Sequence, residues 1–113
     1  MNWIQLDNQE QLQNIKNAAG FSIIFKHSTR CSISLMAKRK FEMDWESIPE
    51  NINLYFLNLI NYREISNAIA DVFQVHHQSP QLLLIKDGEC IFESSHGEIS
   101  ADETAELILA SAE

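Results

Sequence analysis

The groups best equipped for chemistry in this 113-residue chain gather in Lys26-His27-Ser28-Thr29-Arg30-Cys31-Ser32-Ile33-Ser34, which offers a thiol, an imidazole, hydroxyls and cations. A thiol attacks only as its thiolate. The free group ionises near pH 8.5, and placement at a helix N-terminus among cations lowers that to roughly 3.5–7.5. Cys31 follows a short apolar stretch and opens a helical pattern, so the unpaired amides and positive dipole end of that helix are expected to face its sulfur. Charge points the same way. Between Gln11 and Phe41 lie Lys16, Lys26, Arg30, Lys38, Arg39 and Lys40 without one Asp or Glu, in a chain whose net charge is −8.

Ser34 occupies the position where a Cys-x-x-Cys enzyme carries its second thiol, so Cys31 must work alone. A lone thiolate attacks a disulfide, forms a mixed disulfide and needs a second small thiol to release it. Such chemistry suits removal of a low-molecular-weight thiol from a protein. Ser34 is placed either to hydrogen-bond the sulfur or to satisfy backbone groups, as serines in a first helical turn do. The other thiol, Cys90, stands between Glu89 and Ile91 and is expected to be structural. Among His27, His76, His77 and His96 no His-x-x-x-His pair occurs, the chain has no Cys-x-x-Cys, and the adjacent His76-His77 would point to opposite faces if extended. No metal site is expected. His27 or His77 is instead suited to hydrogen bonding or proton handling beside the thiolate.

These groups need a scaffold. Leu6, Leu12, Ile15 and Ala18-Ala19 recur at near-helical spacing, with Asp7 as the expected cap and Gly20 as the stop. Phe21-Ser22-Ile23-Ile24-Phe25 has the continuous apolar character of a buried parallel strand. Residues 31–43 form a second helical pattern, with Ile33, Met36, Ala37 and Phe41 on one expected packing face. Leu54-Tyr55-Phe56-Leu57 is a further strand, and Ile65, Ile69, Val72 and Phe73 define a third helix. Leu82-Leu83-Leu84-Ile85 and Cys90-Ile91-Phe92-Glu93 flank an Asp87-Gly88 turn and make a hairpin. Ser100 with Glu103 caps a last helix that packs through Thr104, Leu107 and Ile108.

The resulting order, a crossover half followed by a hairpin half, is thioredoxin-like. It predicts one α/β domain over residues 1–113, with a mixed four-stranded central sheet and helices on both faces. In that arrangement Cys31 sits at the carboxyl edge of the sheet, where open α/β folds bind ligands. Pro80, after Ser79 and before a buried strand, takes the place where such folds put a cis proline opposite the nucleophile; the backbone of Ser79 is then positioned to pair with a peptide or thiol ligand. The acidic balance argues against nucleic acid or an anionic membrane surface as partner. The longest apolar run, Leu82-Leu83-Leu84-Ile85, is far short of the roughly 20 residues that span a bilayer. Residues 1–10 are polar and acidic and lack the marks of a secretory signal. A cytoplasmic monomer is the expectation.

The segment from Lys26 to Ser34 resembles the active-site loop of the YtxJ-like monothiol bacilliredoxins, whose usual pattern is Lys-His-Ser-x-Thr-Cys-Pro-Ile-Ser. Arg63-Glu64-Ile65-Ser66-Asn67-Ala68-Ile69-Ala70, Val75-His76-His77-Gln78-Ser79-Pro80-Gln81 and His96-Gly97-Glu98-Ile99 are similar to that family's later blocks, in the same order. The resemblance implies a bacterial thiol-disulfide oxidoreductase of redox homeostasis, with Cys31 as nucleophile and His27, Ser28, Thr29, Arg30, Ser32 and Ser34 around it. It further implies a substrate edge at His77, Ser79, Pro80 and Gln81, S-thiolated client proteins as partners, and bacillithiol as co-substrate with no tightly bound cofactor. Arg30 and Ser32 depart from the pattern, replacing threonine and proline. Arg30 adds a cation, and Ser32 frees a backbone amide at the helix start. Two rival functions share the fold: a redox-inactive module that holds a peptide at the Pro80 edge, and an iron-sulfur carrier in which a single thiol plus a thiol cofactor from each of two chains hold a small cluster.

Overall fold

A computed structural model describes residues 2–112. The elements are β1 (Trp3–Gln5), α1 (Gln9–Asn17), β2 (Phe21–His27), α2 (Ser32–Asp44), β3 (Asn53–Asn58), α3 (Arg63–Phe73), β4 (Gln81–Lys86), β5 (Glu89–Ser95) and α4 (Ala101–Ala110). Short 3-10 turns at Trp45–Ser47 and His96–Glu98 link some of them. The strands lie in the order β1-β3-β2-β4-β5. Three of them, β1, β3 and β2, run parallel, whereas β4 and β5 are antiparallel additions. The fold is the expected thioredoxin-like α/β arrangement, with five strands rather than four.

Because β2 is central and covered on both sides, its successive side chains feed opposite layers. Ile23 and Phe25 join Ala37, Phe41, Ile99, Ala105 and Ile108 in a cluster under α2 and α4. Ile24 joins Leu12, Ile15, Ile65 and Ile69 in a second cluster under α1 and α3. The added strand, β1, pairs Trp3 with Leu54 and Gln5 with Phe56. It has only three residues and no buried alternation, which is why the polar N-terminal pattern hid it. What recruits it is aromatic packing: the Trp3 ring lies 5.4–5.7 Å from the rings of Phe25, Phe41, Trp45 and Phe56.

Three helix details differ from expectation. Helix α1 stops at Asn17 with Ala18 as its C-cap, before Gly20. The cap of α1 is Asn8 rather than Asp7, and its side chain accepts from the Gln11 amide at 2.9 Å. On α2, Ile33 and Met36 face outward, 51% and 70% exposed, while Ser34, Ala37 and Phe41 are buried. The inward stripe is rotated because a serine occupies its first position, a residue type that apolar periodicity does not count. Ser100 caps α4 as expected, accepting from the Glu103 amide at 3.2 Å.

The hairpin turn places Asp87 and Gly88 at φ 51° and 82°, as a two-residue type I′ connection requires. Gly88 also lies against the end of α1, where Lys16 Nζ donates to its carbonyl at 2.9 Å. A Cβ at residue 88 would run into the Lys16 backbone carbonyl. Gly88→Ala is therefore expected to lower stability by more than the roughly 1–2 kcal/mol of left-handed backbone strain alone, read as a reduced urea midpoint with an unchanged slope. An unaltered midpoint would show that the turn relaxes freely.

Candidate active site

The carboxyl end of β2 and the start of α2 meet at one edge of the sheet, joined by residues 28–30. Cys31 is the N-cap residue of α2, and its side chain makes no capping bond. Its amide donates to the Ser28 carbonyl at 3.2 Å and its carbonyl accepts from Leu35 N at 3.1 Å. The thiol is free and half-buried. Among the described residues the amides of Ser32, Ile33 and Ser34 find no protein acceptor, so the positive end of α2 remains open beside Cys31. Thr29, Arg30 and Ser32 are exposed around it.

Ser34 explains how this junction closes. Its Oγ is buried, accepts from the Ser28 amide at 3.0 Å and lies 2.7 Å from His27 Nδ1. Burial lowers the His27 pKa, the Lys38 charge lowers it further, and these outweigh the contacts with Ser34 and Glu42 that raise it. A neutral imidazole can accept the one proton that Ser34 has to give. The serine hydroxyl is thus committed to the backbone and to His27, and it makes no hydrogen bond to the Cys31 sulfur. His27 is itself wedged against the Phe56 ring at 5.1 Å.

The six cations do not converge on Cys31 as their sequence positions suggested. Lys16 is held at the hairpin turn. Lys38 pairs with Glu42 at 2.9 Å and stands over the Phe56 ring. Lys26 is wholly buried and points to the α3 side, because the pleat sends it opposite to His27. Arg30, Arg39 and Lys40 are the exposed cations on the Cys31 loop and α2.

On the neighbouring strand Gln81 is in register with Lys26, which brings Pro80 level with His27 at the same edge. The Ser79–Pro80 bond is cis. Pro80 is buried while His77 and Ser79 are half-buried. Gln81, assigned to the substrate edge from the family pattern, is instead an internal brace. Its Nε2 donates to the His76 carbonyl at 3.0 Å and to Glu93 at 2.9 Å. His77 Nδ1 lies 3.2 Å from Lys26 Nζ. Burial chiefly lowers the His77 pKa, helped by the charges of Lys26, Arg63 and His76.

A cleft of about 330 Å³ runs beside this edge, lined by Ile33, Met36, Ala37, Lys40, His96 and Gly97. No spacing in the sequence marks it, since it arises where α2 packs near the His96–Glu98 turn. Cys90 lies on β5, two strands from β2, with its thiol donating to the Phe92 carbonyl at 3.3 Å and its pKa pushed up by burial. It does not meet Cys31. No described helix is long and apolar enough to cross a membrane.

A half-buried lone thiol opening a helix, at a sheet edge that also carries a cis proline, on this fold is the arrangement of a thiol-disulfide oxidoreductase. Residues 4–104 match the family model of the monothiol bacilliredoxin BrxC, and the chain belongs to that family. Among solved structures it is similar to a protein described as a candidate oxidoreductase with a thioredoxin fold, at 27% identity and TM-score 0.79, covering 91% of this chain and 90% of the other. Malassezia sympodialis thioredoxin superposes with TM-score 0.73 at 12% identity, over 99% of this chain and 92% of its own. A mutant thioredoxin from Halobacterium salinarum does so with TM-score 0.71 at 19% identity, over 97% and 90%. The last two attest the fold.

Ser34→Ala would strand the half-buried Ser28 amide and the buried His27 nitrogen, a loss of about 1–3 kcal/mol, to be measured by urea unfolding; a smaller loss would show that water replaces the hydroxyl. His27 and His77 are held below their ordinary 6.5, so below that value the unfolded chain binds more protons than the folded one. Stability is then expected to fall as the pH is lowered through about 6.5, and a flat urea midpoint across that range would contradict neutral burial.

Proposed function

We propose that this protein removes bacillithiol, or a thiol like it, from S-thiolated client proteins, with Cys31 as the only nucleophile. The observation that carries the reading is a half-exposed free thiol at the open start of α2, with a buried serine three residues on and the other cysteine strands away. Cys31 thiolate attacks the low-molecular-weight sulfur of the mixed disulfide. The old sulfur–sulfur bond breaks, the client leaves as a thiolate that takes up a proton, and a Cys31–thiol disulfide forms. A second small thiol attacks that disulfide, supplies the two electrons, and departs as the symmetric disulfide with Cys31 restored.

The amides at the start of α2 favour negative charge where the sulfur reacts. Arg30, Arg39 and Lys40 suit a thiol that bears carboxylates. The backbone of Ser79, at the Pro80 edge, is placed to align the substrate. No tightly bound cofactor enters this scheme, and a reducing compartment such as the cytoplasm is where a lone thiol of this kind stays available.

Mass spectrometry after exposure to oxidised bacillithiol, and separately to oxidised glutathione, tests the reading. A single adduct on Cys31 is expected, with bacillithiol preferred, while Cys90 stays unmodified at neutral pH because burial raises its pKa. Cys31→Ser should abolish reduction of a bacillithiolated protein and Cys90→Ala should leave it intact. Turnover by Cys31→Ser, or adducts with neither disulfide, would end the proposal.

A further inference from the structure

Lys26 is a buried ammonium that the exchange chemistry above does not use. Its residue is 0% exposed, and the one ion pair among the described residues is Lys38 with Glu42, so no carboxylate compensates it. A buried unpaired charge destabilises a fold, and an apolar side chain of similar volume would fill the same space at no such cost. Stability therefore does not account for it. What the ammonium does is join three elements. From the end of β2 it donates to the Ser66 carbonyl on α3 at 3.2 Å and reaches His77 Nδ1, on the segment leading into β4, at 3.2 Å. Ser66 Oγ lies 3.5 Å from the same nitrogen.

We infer that Lys26 is a positioning residue for thiol exchange: through His77 it fixes residues 77–80, and thereby the Ser79–Pro80 edge, against the Cys31 loop. For the activity this rests on the reductase reading; the tether itself does not. An ammonium can only donate, so His77 must present a lone pair at Nδ1 and carry its proton on Nε2. The charged groups around that ring are Lys26 from β2, Arg63 from α3 and the adjacent His76, and no acid is among those acting on it. Burial first, and these positive charges after it, favour the neutral ring that the tether needs. The ammonium is also near its own limit, since burial brings its pKa down to about 8.

Lys26→Met, which keeps the volume and removes the donor, is the direct test. It is expected to fold with a urea midpoint no lower than the parent, and to raise the His77 titration midpoint in NMR as the neighbouring charge disappears. In reduction of a bacillithiolated peptide, kcat/KM should drop about tenfold, mostly through KM. His77→Phe, retaining an aromatic ring without the acceptor, should give the same loss, and the double variant no more than either single one. It also serves if Lys26→Met does not fold. An unmoved His77 midpoint overturns the tether whatever the activity. A shifted midpoint with unchanged kcat/KM, or additive losses, overturns the positioning role. A parent protein that reduces no mixed disulfide would refute the reductase reading instead, leaving the NMR arm to judge the tether.

Discussion

The geometry at Cys31 depends on one buried hydroxyl. Ser34 Oγ lies between the Ser28 amide and His27 Nδ1, so the strand, the turn after it and the first helical turn share a common atom. A chain leaving a central strand at the sheet edge has many possible paths. This shared atom, with the Cys31 amide bonded to the Ser28 carbonyl, selects the one that puts the thiol at the helix start. A dithiol enzyme of the same length would hold a second sulfur at this position. Here the site has traded a resolving group for a rivet.

The pleat of β2 divides the labour between two adjacent residues. His27 faces α2 and bonds to Ser34 behind the Cys31 loop, whereas Lys26 faces α3 and reaches the segment before β4. Both partners of the site, the thiol loop and the Pro80 edge, are thus held from one strand by residues next to each other in the chain.

Much of this was legible in the chain beforehand, for reasons that can be stated. The alternation of elements, the Asp87-Gly88 hairpin and the Ser100 cap follow from local chemistry, and so does Cys31 at a strand-to-helix junction. What escaped was decided by contacts that lie outside the helical and strand repeats. The strand at Trp3 exists because four rings from other elements surround the indole. The inward position of Ser34 and the inward-turned Gln81 reflect hydrogen bonds that apolar periodicity cannot register. The basic run from Lys16 to Lys40 looked like one field, yet the pleat and a single carboxylate, Glu42, dispersed it.

The outermost strand, β5, bonds to β4 alone and so leaves one row of amides and carbonyls without a strand partner in the sheet. Such a margin invites another chain to add itself, the first step toward fibrous aggregates. Its residues Glu89 and Glu93 are exposed on that strand, and a second copy arriving in antiparallel or parallel fashion would bring carboxylates toward carboxylates. The acidity that looked like a bar to nucleic acid thus also guards the molecule against itself.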